Sequence, residues 1–174
     1  MRGKHAESRF GRNSALPRAD RSENMNTNYC IGENELKRAE ACLIFAQKLG
    51  LIDGSSFDDL EKRRAAENEK RAAATAKGEI FYGPEQFSAP AYLQYELTRF
   101  KLDFAAETEQ VKKAYKFGEI TEKEMKEFYK SNKDLFTRYG GDKFRYREVR
   151  LIIRKKIREA QYDNEINNIL CKLS

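Results

Sequence analysis

The sequence predicts an all-α protein of about five helices, one of them long and central. Three features carry this. Charged residues make up 36% of the 174 positions and are mixed in sign, as on solvated helix faces rather than in the blocks of an acidic or basic tail. There are only three prolines and no tryptophan, and alternating β-branched runs bounded by turn signals are hard to find. Apolar residues instead recur at spacings of three, four and seven. A chain of this length makes one domain, or one domain and a tail, and buries roughly two thirds of its unfolded surface.

Residues 1–28 carry six basic and three acidic side chains and few large apolar ones. They cannot bury enough surface to offset their ordering entropy, so a disordered basic tail is expected, with Met25 an alternative start. The helical domain is expected over 29–174. Its first helix spans about residues 34–49, with Leu36, Ala39, Leu43 and Ala46 at helical spacing and Gly50 as its stop. Asp53-Gly54 is a turn, and Ser55 or Ser56 caps a second helix running to about residue 76. After Phe57 and Leu60 the inward face of that helix is alanine only. It should lie outside, or pack closely through Ala65, Ala66, Ala72 and Ala73.

Residues 79–88 form an aromatic loop in which Gly83-Pro84 forces extended backbone. The third helix starts at Ser88 or Ala89 with Pro90 in its first turn. Leu93, Leu97, Phe100, Phe104, Val111 and Ala114 make one stripe about seven turns long, ending at Gly118. A capping box, Thr121-x-x-Glu124, opens the fourth helix, with Ile120 and Met125 as its hydrophobic staple. The fifth runs from about residue 144 to the end. Val149, Ile152, Ile153, Ile157 and Ala160 share one face, and Arg147, Arg150, Arg154 and Arg158 lie roughly opposite.

The chemistry is narrowed by what the residues are. His5 is the single histidine and sits in the tail, which disfavours Ser-His-Asp and Cys-His catalysis and imidazole-rich zinc sites. Neither glycine-rich phosphate motif occurs. Cys30, Cys42 and Cys171 are too few and too scattered for a disulfide or zinc framework, and Cys42 reads as a small core residue. Asp58, Asp59, Glu122 and Glu124 have a role at helix starts. No apolar run is long enough to span a membrane. No catalytic residue, metal or cofactor is expected.

Two surfaces remain. The last helix carries seven basic residues and one acid between Arg145 and Arg158. This reads either as a solvated face or as a nucleic-acid contact. Phe81, Tyr82, Phe87, Tyr92 and Tyr95 form an aromatic cluster. It reads either as a loop packed on the long helix or as a groove for polypeptide.

Several motifs occur in order. Lys48-Leu49-Gly50-Leu51-Ile52 precedes Ser56-Phe57-x-x-Leu60, then Glu67-Asn68-x-x-Arg71. Gly78-x-x-Phe81-Tyr82-Gly83-Pro84-x-x-Phe87-Ser88 follows, with Tyr92 and Tyr95 beyond it. Ile120-Thr121-x-x-Glu124-x-x-x-Phe128-Tyr129-x-x-Asn132-Lys133-x-x-Phe136 leads to Glu148-Val149-Arg150. This set resembles the helical chaperone module of SurA- and PrsA-type foldases over about residues 31–174. The resemblance implies that unfolded or extended polypeptide is bound at the aromatic cluster. It implies a cell-envelope or extracytoplasmic setting, whereas a cytoplasmic one is expected if the chain as written is complete. A parvulin prolyl-isomerase unit of roughly 90 residues would fall between Phe136 and Glu148, where only eleven residues stand, so no isomerase activity is expected. The function expected is therefore a non-catalytic chaperone or protein-binding module. The alternatives are a nucleic-acid binder using its last helix and a structural subunit of a fixed complex.

Overall fold

The computed structural model describes residues 32–80 and 82–173. The expected disordered tail, its boundary with the domain, His5, Cys30 and Phe81 lie outside the described residues. Among these residues six α-helices follow one another: α1 (Glu33–Lys48), α2 (Phe57–Ala76), α3 (Ala89–Ala105), α4 (Glu109–Ala114), α5 (Glu122–Ser131) and α6 (Tyr146–Leu173). A 3-10 turn, Lys133–Phe136, follows α5. Among the described residues there is no strand, only one isolated antiparallel bridge between Thr137 and Lys143. The protein is all-α.

The helix ends follow local chemistry. Ser56 Oγ accepts the Asp59 N–H and opens α2. Ser88 Oγ accepts the Ala91 N–H, with Pro90 in the first turn of α3. The Glu124 N–H donates to Thr121 Oγ1, while the Thr121 N–H donates to Glu124 Oε2 at 2.7 Å. Ile120 and Met125, either side of this reciprocal cap, are both buried, as a hydrophobic staple requires.

The long central helix is corrected. Its apolar stripe exists, but the helix stops after Ala105, and Val111 sits on the separate α4. The break is at Glu107, whose φ of 51° is left-handed. The Glu107 N–H donates to the Phe104 carbonyl and the Thr108 N–H to the Asp103 carbonyl, the paired bonds of a Schellman ending. Gly50 and Gly78 close α1 and α2 with the same bonds at φ of 70° and 72°. In the third case a glutamate takes the glycine's place.

Two apolar clusters share α6. The larger gathers Leu43, Phe45, Leu93, Phe100, Phe104, Tyr162 and Ile166 from α1, α3 and the second half of α6, and includes buried Cys42. The smaller packs Ile120, Met125, Phe136, Val149 and Ile153 around the first half of α6. The assignment of Ile152 to the core face is corrected: it is 51% exposed. It stands about 100° around the helix from Ile153, beyond the width that short α5 and the 3-10 turn cover. On α2, Leu60 is the one residue fully inside, and Ala65, Ala66, Ala72 and Ala73 are exposed.

Candidate protein-binding site

Of the aromatic cluster, the structure brings together Phe87, Tyr92 and Tyr95, with ring centroids 5.1–5.9 Å apart. Phe87 and Tyr92 are buried in the larger core, and Tyr95 is 40% exposed. Tyr82 stands apart from them and is 96% exposed, as is Ile80. The loop is fastened from α2. Asn68 accepts the Phe87 N–H at 2.7 Å and donates to the Phe87 carbonyl at 3.0 Å. Arg71 lies 4.5 Å over the Phe87 ring and donates to the Pro84 carbonyl and to Glu67. Glu67-Asn68-x-x-Arg71 and the Phe87 segment thus serve each other structurally.

Beneath this lies a buried polar group that sequence reasoning missed. Glu96 is 1% exposed. Its carboxylate accepts from Arg63 Nε and Nη2, from Arg99 and from the Tyr92 hydroxyl. Burial and the Glu96 charge push the Tyr92 phenol well up. The clue was an acid on an apolar stripe, between Leu93 and Phe100, with an arginine at Arg63 to meet it.

The basic face of α6 is corrected in the same way. Arg158 is 1% exposed and donates to Glu107 Oε1, the Gly118 carbonyl and Gln161, each at 2.7 Å. Arg154 also pairs with Glu107, and Arg150 with Glu122. Burial alone would raise the Glu107 carboxyl, but its bonds from Arg158 and Arg154 outweigh that and hold it below the usual range. Of the four arginines assigned to a solvated face, only Arg147 makes no ion pair among the described residues.

The segment joining the 3-10 turn to α6 is a small closed hairpin. The Phe144 N–H donates to the Phe136 carbonyl, the Arg138 N–H to the Asp142 carbonyl and the Gly141 N–H to the Arg138 carbonyl. Gly141 takes a φ of 85° at the turn. The Tyr129 hydroxyl holds the Phe144 carbonyl at 2.6 Å, and Arg138 lies 4.2 Å over the Phe144 ring. Tyr139 stands at the tip, fully exposed, and Leu135 at the base is 62% exposed. Elsewhere, an open groove of about 540 Å³ runs between α1, α3 and α6, with Leu93, Leu97 and Leu102 along it and Asp163 bridging Arg38 and Lys101 at its edge.

Among the described residues, no group of three or more His, Cys, Asp or Glu is placed to hold a metal. No helix there is long and apolar enough to cross a membrane.

No protein-family model and no curated protein matches the sequence. Solved structures do. The chain is similar to native GH136 lacto-N-biosidase from Eubacterium ramulus, with 28% identity and a TM-score of 0.64. The selenomethionine derivative of that enzyme aligns at 27% identity and 0.66. Each alignment covers 78% of this chain but 27% of the enzyme's. The chain thus spans about a quarter of the length of the enzyme it matches. This overturns the resemblance to SurA- and PrsA-type foldases: these solved structures, which the helical fold matches over about a quarter of their length, are of a glycoside hydrolase.

Proposed function

We propose that this chain is a non-catalytic helical module that binds protein, and that its partner is the remaining body of a glycoside hydrolase, on the same or a separate polypeptide. The observation carrying this is the asymmetric coverage. Most of this chain matches, yet the match fills only about a quarter of the lacto-N-biosidase chain, so the same fold there adjoins a much larger body of polypeptide.

The chemistry of the helical part supports a binding role. Glycoside hydrolysis ordinarily needs two carboxyl groups facing a sugar, one with a raised pKa to act as acid. Two carboxylates withdrawn from solvent, Glu96 and Glu107, are both tied to arginines, and a third, Glu159, is tied to Lys156. Glu107 is held in its charged form, the reverse of what an acid catalyst needs. The likeness to a hydrolase therefore points to the partner rather than to a reaction of this chain.

Co-expression tests the reading. The Eubacterium ramulus lacto-N-biosidase, deleted for its own matching segment, would be produced with and without this chain. A complex eluting together at one-to-one stoichiometry, with more soluble lacto-N-biosidase than without it, is expected. No association, with hydrolase solubility the same in both cultures, would remove the proposal.

A further inference from the structure

Exposure of one tyrosine is ordinary on a protein surface. The 137–145 hairpin and the first turn of α6 combine it with more. Arg138, Lys143, Arg145 and Arg147 are exposed, and Asp142 is the one acid between Arg138 and Arg147. None of the four makes an ion pair among the described residues, whereas Arg150, Arg154, Lys156 and Arg158 further along α6 all do. Between Arg150 and Arg158 the positive charge of the helix is thus paired except at exposed Lys155, whereas at the hairpin and the first turn of α6 none of it is paired among the described residues. The ladder bonds and the Tyr129 anchor constrain the loop backbone, which lowers the entropic cost of ordering it on binding.

We propose that this hairpin is the docking element of the module. Tyr139 enters a socket on the partner, and the four basic side chains meet an acidic surface around it. The inference rests on the protein-binding reading above and names the face that does the binding. The composition is that of an interface centre: an exposed aromatic on a hydrogen-bonded loop, flanked by three arginines and a lysine. Unpaired charge of one sign selects the opposite sign and speeds encounter. Exposed Leu135 at the base favours a protein over nucleic acid or lipid headgroups, because phosphates leave an aliphatic side chain without a partner.

The co-expressed complex supplies the test. Tyr139→Ala should weaken association with the shortened lacto-N-biosidase at least tenfold. A variant carrying Arg138→Gln, Lys143→Gln, Arg145→Gln and Arg147→Gln should do the same and lose most of its dependence on salt. Tyr139 is fully exposed, so the Tyr139→Ala melting temperature should match the wild type and exclude misfolding as the cause. The variants would also be titrated with a 20-nucleotide single-stranded DNA and with phosphatidylserine vesicles. If the wild type forms no complex, the protein-binding reading fails and this inference with it. If the wild type binds and both variants bind equally well, the module reading stands and the hairpin is not its docking face. Tight DNA or vesicle binding that the variants abolish, with the protein complex unchanged, would reassign the hairpin to that ligand.

Discussion

Replacing Glu107, at the junction of α3 and α4, should cost more than replacing any acidic residue on those two helices except Glu96. Its carboxylate neutralises Arg158, which is 1% exposed and cannot swing into water. Removing one partner of a buried pair typically costs about 3–5 kcal/mol, because a buried charge is left uncompensated. Arg158 would retain the Gly118 carbonyl and Gln161, which places Glu107→Ala toward the lower end. In a protein of this size that corresponds to a fall in melting temperature of roughly 6–12 °C. Glu107→Gly should be milder by about 1 kcal/mol, because only glycine accepts the left-handed backbone without penalty. The pH dependence has a definite sign. The folded carboxyl is held below its unfolded value, so its contribution is complete above the unfolded pKa of about 4.3 and is lost as pH falls through the folded one. Wild type and Glu107→Ala should therefore converge in acid. Urea titrations at pH 7 and pH 3 measure both effects. A loss under 1 kcal/mol at pH 7, or a difference that widens in acid, would refute the clamp.

Three further outcomes follow from the aromatic segment and the basic helix. Tyr92→Ala should cost about 3–5 kcal/mol, as for other buried aromatics, while Tyr82→Ala should stay within about 0.5 kcal/mol; thermal melts of the pair separate core from surface directly. Asn68→Ala removes both bonds to the Phe87 backbone and should cost about 1–3 kcal/mol, read as lowered stability with faster proteolysis between Gly78 and Ser88. Binding of single-stranded DNA should be weak and vanish as salt rises; sub-micromolar, sequence-dependent binding at physiological salt would contradict the pairing of Arg150, Arg154 and Arg158.

Where a helix end is written in the residue that makes it, the sequence could be read. Ser56, Ser88, the Thr121–Glu124 box, Gly50 and Gly78 all act as their chemistry dictates. The break at Glu107 was not legible, because the usual sign of a left-handed residue is glycine and the cause lies 51 residues away at Arg158. The face of α6 was misread for a related reason. The buried stripe passes from Val149 and Ile153 to Arg158, Tyr162 and Ile166. An arginine at the changeover looks external until its carboxylate is known. Within the proposed aromatic site, spacing correctly put Tyr92 and Tyr95 near one another. It could not tell that Asn68 and Arg71 would draw Phe87 inward and leave Tyr82 outside. The hairpin was invisible as a site because its charges only stand out once Arg150, Arg154, Lys156 and Arg158 are seen to be paired.

The Glu107 clamp also bears on how the hairpin is held. Helix α6 is continuous over 28 residues, about 42 Å at the usual rise, and it is the one element shared by both apolar clusters. Arg158 sits where those clusters meet. It ties the α3–α4 junction, through Glu107, to Gly118, which immediately precedes the segment entering α5. The smaller cluster has few buried side chains of its own, so its order depends on this attachment more than the larger one does. Glu107→Ala should therefore loosen the molecule unevenly. Amide exchange in α5 and residues 137–145 should quicken at least tenfold, with α1 and the second half of α6 changing less. Uniform quickening throughout would mean that the two clusters open together, and that the hairpin owes its order to the whole fold rather than to this clamp.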